Sequence, residues 1–237
     1  TENCRYPVLG ASYQPRAGVA RHDAVAWGYA LRADELGVDI IQNCEVKKIR
    51  TVKGKVQGVE TSKGFIRSNR VGVVASGHTS VLAATAGIKL PLQSKALQAL
   101  VSEPIKPVIN TVVMSNAVHA YVSQSDKGEL VIGAGTDGYN SYTQRGGYNI
   151  IEDTIRAIVE LYPIFGKMKM LRQWGGIVDI TPDASPILSK CEVEGLYFNC
   201  GWGTGGFKAT PGSANVFAHT IAKNKAHKIN APFSVDR

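Results

Sequence analysis

Four of the six residues from Gly201 to Gly206 are glycine, and they follow the apolar run Gly195-Leu196-Tyr197-Phe198-Asn199-Cys200. From Ala209 to Ala222 the pattern is that of a helix. The stretch predicts a strand, a turn and a helix. Glycine at this density has a physical use, because a residue without Cβ takes positive φ freely and lets a flat group approach the backbone. The helix N-terminus beyond the turn adds amide donors and partial positive charge, suited to an anionic or electron-accepting group. Lys208 is the one formal charge there and a natural clamp for a carboxylate.

Gly201, Gly203 and Gly206 satisfy G-x-G-x-x-G, and so do Gly133, Gly135 and Gly138. Neither reads as a dinucleotide fingerprint, which needs a following helix, a second parallel strand and an acidic residue about 20 positions on. After Gly206 only 31 residues remain, without an obvious further strand, and the segment from Asp137 to Ser141 reads as a loop.

The chain's 237 residues, 44% hydrophobic and 19% charged, suffice for one substantial core or two modest domains. No apolar run reaches the roughly 18 residues a spanning helix needs. The first residue is Thr, not Met, so the natural beginning is expected to be absent. A net charge of +8 permits an acidic partner, but Lys and Arg are scattered and not interleaved with aromatics as in nucleic-acid modules. Cys4, Cys44, Cys191 and Cys200 have neither metal spacing nor a disulfide framework, which fits a reduced, cytoplasmic setting.

In chain order, residues 1–20 read as loop, and a helix is expected from about Asp23, whose carboxylate can cap it, to Gly37. Its apolar spacing is carried by Ala24, Trp27, Ala30 and Leu31. His22 stands just before it; on physical grounds alone a lone histidine at a helix start is inert. Short strands are expected at Val38–Ile41, Glu45–Arg50, Val56–Thr61, Phe65–Arg67 and Val71–Ala75, the last buried on both faces and ending at Ser76-Gly77. A short helix follows to about Ala86. Leu97–Val101, Thr111–Met114, Ala120–Ser123 and Leu130–Gly133 predict an antiparallel sheet, Ile150–Leu161 an amphipathic helix ended by Pro163, and Leu171–Ile180 a returning strand.

Taken together, Gly37 to Ile40, Glu45-Val46, the Gly58–Gly64 hairpin, Val73 to Gly77, Thr181-Pro182-Asp183-Ala184-Ser185-Pro186 and Gly195 to Lys208 resemble the FAD-dependent amine oxidases of the D-amino-acid oxidase and glycine oxidase superfamily. The resemblance covers nearly the whole chain. More narrowly, Arg21 to Ala30, Asn199 to Ser213 and Asn230-Ala231-Pro232-Phe233-Ser234 resemble the β-subunit family of heterotetrameric sarcosine oxidases. It implies a mixed α/β (α+β) fold, the C-terminal part of a FAD-dependent oxidoreductase. Residues 1–92 and 179–237 would form an incomplete FAD-binding domain and 93–178 an antiparallel-sheet substrate domain.

The resemblance also implies roles. FAD would be bound noncovalently, with Val46 contacting its adenine part, Gly77 at the cofactor and Gly203, Thr204, Gly205 and Gly206 against the flavin ring. FMN would be attached covalently to His22, which reverses the inert reading of that residue. Lys208 would bind the substrate carboxylate. Sarcosine would be oxidatively demethylated to glycine, electrons passing from FAD to FMN and then to O2, with formaldehyde or methylene-tetrahydrofolate as the one-carbon product. The partners implied are the alpha, gamma and delta subunits, tetrahydrofolate being bound by a partner subunit. No nucleic acid, membrane or metal is expected.

The sequence departs from the family pattern twice. The opening strand, G-x-G-x-x-G turn and helix that hold the FAD pyrophosphate are not in it, and Val131 in Leu130-Val131-Ile132-Gly133 stands where monomeric relatives carry an oxygen-activating lysine. The alternatives are a related oxidase or dehydrogenase of dimethylglycine, proline or an opine, and a non-catalytic interaction piece. The Arg21-His22-Asp23 motif separates the first from the sarcosine reading, and flavin in the intact subunit separates the second.

Overall fold

The computed structural model describes residues 4–237; residues 1–3, part of the expected N-terminal loop, lie outside the described residues. The elements are α1 (His22–Glu35), β1 (Val46–Val52), β2 (Lys55–Thr61), β3 (Gly64–Arg67), β4 (Val71–Val73), α2 (Thr79–Thr85), β5 (Gln93–Pro104), β6 (Val113–Ser115), β7 (Ala120–Gln124), β8 (Glu129–Thr136), α3 (Tyr148–Leu161), β9 (Met170–Ile180), β10 (Ile187–Lys190), β11 (Leu196–Cys200) and α4 (Gly206–Lys223). The architecture is mixed α/β and divides into two compact units. One contains the described residues up to Gln42 with Leu97–Asp137 and Thr143–Gly176; the other contains Asn43–Ala96, Gly138–Tyr142 and Ile177–Arg237.

The second unit is built around β11. All five of its residues are buried, and alternation sends them to two different clusters. Leu196, Phe198 and Cys200 join Ile49, Val56, Val73 and Ile187. Tyr197 on the opposite face packs with Val216 and Phe217 of α4. That double burial explains why the run has no polar alternation. β11 pairs antiparallel with β10 and parallel with β4. The strand expected to run to Ala75 ends at Val73: Val73 faces the core and Gly72 lies under Phe217 and Ile221, but Val74 is 64% exposed and has left the sheet.

β1, β2 and β3 form a separate antiparallel meander. It is fastened by Ile49 N–H donating to Thr85 Oγ1 and by Val56 N–H donating to the Glu194 carbonyl.

In the first unit, five strands run in the order β6-β7-β8-β5-β9. Leu100, Ala120, Val122, Leu130 and Ile132 turn one face toward Ala157, Ile158 and Leu161 of α3. Each fully buried large side chain contributes about 1.5–3 kcal/mol. Pro163 ends α3, since it lacks the N–H the next turn needs. Gly133, in the rejected fingerprint, lies within β8, and its lack of a side chain has a packing cause: a Cβ there would fall 2.2 Å from the Tyr121 ring and hydroxyl. Burial pushes that phenol's pKa up.

Two expectations for the N-terminal part are corrected. Asp23 is not the cap of α1: Arg21 takes that position, and the Asp23 carboxylate in the first turn accepts the Ala24 N–H at 2.9 Å and pairs with Arg21 at 3.3 Å. Val38–Ile41 forms no strand; it is exposed and pairs with no strand among the described residues. None of the α1 side chains is buried. Among the described residues no helix is long and apolar enough to cross a membrane, and all four cysteines are free.

Candidate functional site

At the end of β11 the chain turns through glycines that serve different purposes. Gly201 has φ +74°, and a Cβ on it would meet Thr181 Cγ2 at 2.7 Å, so both conformation and space demand glycine. Its N–H donates to Asp179 Oδ2 at 2.6 Å, and Trp202 Nε1 donates to the buried Asn199 Oδ1 at 2.6 Å. Gly203, at φ +52°, opens a single 3-10 turn to Gly205. A Cβ at Gly205 would meet nothing within 4 Å, and one at Gly203 only the Asp179 carbonyl at 4.0 Å. These two leave bare backbone facing open space, a surface a planar group can approach.

α4 starts at Gly206, three residues before the expected Ala209, because the 3-10 turn runs directly into helical geometry. Its cap, Gly205, supplies no side-chain acceptor, and the first turn holds no acidic residue. Lys208 lies in that turn, exposed, with no carboxylate partner among the described residues. A cation at a helix N-terminus opposes the dipole by about 0.3–1 kcal/mol. An anion received between Lys208 and the uncapped amides would reverse that cost. Below the turn, burial first and the Asp179 charge second push the Cys200 thiol up to about 12.

The carboxyl end of β4 lies alongside. Phe198 pairs with Val73 in the parallel register, so both strands run out toward the same end of the sheet, β11 into the glycine turn and β4 into Ser76-Gly77. Ser76 is held at φ +45°, an uncommon conformation for a residue with a side chain. A Cβ on Gly77 would fall 2.2 Å from Ile177 Cγ2. Ser94 Oγ donates to the Gly77 carbonyl at 2.5 Å, and Ser76 Oγ to the Ile177 carbonyl at 3.2 Å. His78 follows, its ring 4.9 Å from that of Tyr142.

Thus Gly77 and Gly203, Thr204, Gly205, Gly206 and Lys208 are brought together at the carboxyl ends of two adjacent parallel strands, the usual ligand crevice of such sheets. Val46, half-buried opposite Thr61 at the start of β1, lies in the meander. His22 belongs to the first unit, exposed at the first position of α1, with neither ring nitrogen hydrogen-bonded among the described residues. Sequence reasoning missed Asp179, Asn199 and Ile177. For Asp179 a signal existed: a lone acid between Ile177-Val178 and Ile180 is out of place in an apolar strand.

The model of the FAD dependent oxidoreductase family (DAO) matches residues 2–220. The chain belongs to the FAD-dependent oxidoreductase family. It is 58% identical over 236 residues to the sarcosine oxidase subunit beta of Arthrobacter sp., covering all of this chain and 58% of that protein. It is 60% identical over 219 residues to the sarcosine oxidase subunit beta of Rhodobacter capsulatus, covering 92% of this chain and 53% of that one. The chain therefore spans little more than half the length of these curated relatives. Among solved structures, L-proline dehydrogenase from P. horikoshii superposes with a TM-score of 0.83 at 26% identity, covering 89% of this chain and 58% of that one.

Proposed function

We propose that this chain is part of the β subunit of a flavin-dependent sarcosine oxidase, working with alpha, gamma and delta subunits. The observation that carries the reading is Lys208: a cation with no carboxylate partner among the described residues, at the glycine-built, uncapped start of α4, in a chain 58% identical to a sarcosine oxidase subunit. The residues fit a flavin, because Gly203 and Gly205 leave bare backbone facing open space that a planar group can approach. The Gly206–Lys208 amides carry positive potential toward a group that gains electrons. A flavin held there would supply two-electron oxidation of the amine; in this reading FAD would be the acceptor and FMN the route to O2, with H2O2 formed and the imine either hydrolysed by water to glycine and formaldehyde or its one-carbon unit transferred to tetrahydrofolate.

Within this reading Lys208 binds the amine's carboxylate and holds the substrate's C–H over the cofactor, a positioning effect. Gly77, Gly203, Thr204, Gly205 and Gly206 form the flavin wall, Val46 meets the adenine end, and the exposed imidazole of His22 takes the covalent FMN. Residues 1–92 and 179–237 serve the FAD side and 93–178 the substrate side, a functional division that follows motif order and not compactness. A second reading, proline or another secondary amine as substrate, draws on the proline dehydrogenase likeness.

The test uses the intact multi-subunit protein. An added mass of one FMN on the His22 peptide, lost in His22→Ala, supports the flavin-linked subunit. Lys208→Ala raises the KM for sarcosine at least about tenfold, the loss of one charge-assisted contact. An unmodified, colourless assembly, or an unchanged KM, sinks the reading; a lower KM for proline than for sarcosine moves it to the second substrate.

A further inference from the structure

The two turns of the candidate site are held by one strand. Ile177 and Asp179 stand two residues apart on β9 and so share a face. Ile177 fills the space above Gly77 and accepts from Ser76, while Asp179 accepts from Gly201. Asp179 is 3% exposed, whereas its strand neighbours Ile177, Val178 and Ile180 are apolar. A buried carboxylate is expensive for stability alone, and an apolar residue of similar size would serve the core at least as well. What the carboxylate supplies is direction: a short, charge-assisted acceptor at 2.6 Å that fixes the orientation of the Cys200–Gly201 peptide. Gly201 is the residue where β11 stops, and its permissive backbone would otherwise leave the exit angle toward Gly203–Gly206 undetermined.

We propose that Asp179 is a positioning residue of the flavin-side turn, orienting Gly201 so that the Gly203–Gly206 backbone and Lys208 are presented to the cofactor and substrate; this rests on the functional reading above. Asp179 touches neither group, and its influence passes through the Gly201 amide. Its carboxylate also lies close beneath the turn, where after burial it is the second cause that keeps the Cys200 thiol protonated.

The experiment compares the wild-type assembly with Asp179→Ala and Asp179→Asn by hydrogen–deuterium exchange and by FAD release. Asp179→Ala is expected to speed amide exchange across residues 200–206 by about tenfold or more, as loss of a hydrogen bond to a charged group implies, and to speed FAD release similarly. Asp179→Asn retains an acceptor and restores most of both. It lacks the charge, however, so its bound flavin reduces at a more positive potential. KM for the amine, measured on flavin-loaded molecules, rises in Asp179→Ala as the turn that presents Lys208 loses its orientation, and returns toward the wild-type value in Asp179→Asn.

Unchanged exchange at 200–206, or a rise spread evenly over the second unit, overturns the positioning role. Localised exchange with FAD release unaltered overturns the link to the flavin. If Asp179→Ala does not fold, the Asn variant decides through exchange at 200–206, which rises locally as the charge-assisted bond is weakened; no rise there counts against the proposal. A wild-type assembly that holds no FAD refutes the functional reading itself, while the exchange data still decide whether Asp179 orients the turn.

Discussion

The segment from β11 into α4 and the segment from Arg5 to Ile41 are both rich in large apolar residues, yet they end in opposite states. In the first, Phe198 and Leu196 are wholly excluded from water; in the second, Leu9 is 95% exposed and Trp27 62%. Apolar spacing therefore reports a need for cover and not where the cover comes from. β11 finds it on both faces because Ile49, Val56, Val73 and Ile187 close one side and α4 the other. α1 has ordinary helical chemistry and no buried side chain.

The sharpest way to break this contrast is to truncate one aromatic in each region. Phe198→Ala should cost about 3–5 kcal/mol of folding stability, the usual figure for a fully buried phenylalanine. Trp27→Ala should stay within about 0.5 kcal/mol, as surface changes do. Denaturant melts of the isolated chain measure both. A Trp27 cost approaching that of Phe198 would mean that α1 is covered by its own chain after all.

Within the site the same contrast recurs between glycines. Gly77→Ala drives a methyl to within 2.2 Å of Ile177 Cγ2 and should cost about 1–3 kcal/mol through overpacking. Gly205→Ala meets nothing within 4 Å and has φ −94°, so stability should change by less than about 0.5 kcal/mol. If a flavin ring lies against Gly205, its alanine variant nonetheless releases FAD faster, and measuring stability and release on one sample separates a packing glycine from a binding one.

These particulars show how far the sequence was legible. The strand, the glycine turn and the helix at 195–223 were readable because each leaves a local mark: a continuous apolar run, residues without Cβ, then helical periodicity. Lys208 was readable as the one charge in that stretch. The start of α4 at Gly206 was not, since glycine is a poor helix former and only the 3-10 turn ahead of it makes Gly206 helical. Asp179 escaped because its role depends on β9 passing beneath β11, a contact across 22 residues of sequence. His22 shows the converse: neither its local sequence nor its exposed ring distinguishes it from an inert surface histidine, and only family resemblance assigns it a task.

A smaller effect tests the strap that closes the second unit. Arg237 donates to both Asp183 carboxylate oxygens, at 2.9 and 3.1 Å, and this hydrogen bonding, with the Ser185 N–H next, holds the Asp183 pKa well below the usual carboxylate range. A depressed folded value means stability that is present above the unfolded carboxyl value of about 3.9 and fades as pH falls below it. Acid titration should loosen residues 231–237 first, and Asp183→Asn should erase the pH dependence of that step. Hydrogen exchange between pH 5 and pH 2 follows it, and a strap equally protected at both ends of the range contradicts the assignment.

A last effect lies at alkaline pH and returns to β11. Cys200 is 1% exposed, and burial, with the Asp179 charge second, pushes its thiol up to about 12 from an ordinary value of about 8.5. In the unfolded chain the thiol ionises near that ordinary value, whereas in the folded chain it keeps its proton. From about pH 8.5 upward the folded state therefore binds more protons than the unfolded state, so stability declines with pH, by at most about 1.4 kcal/mol per unit for one group. Tyr121 and Cys191, also pushed up by burial, slope the same way. The informative quantity is therefore the difference in slope between wild type and Cys200→Ala from pH 8 to 11. The variant should lose part of the decline while costing little at pH 7. Identical slopes would mean that water reaches Cys200 in the folded state, and then β11 is not the closed strand on which the contrast with α1 depends.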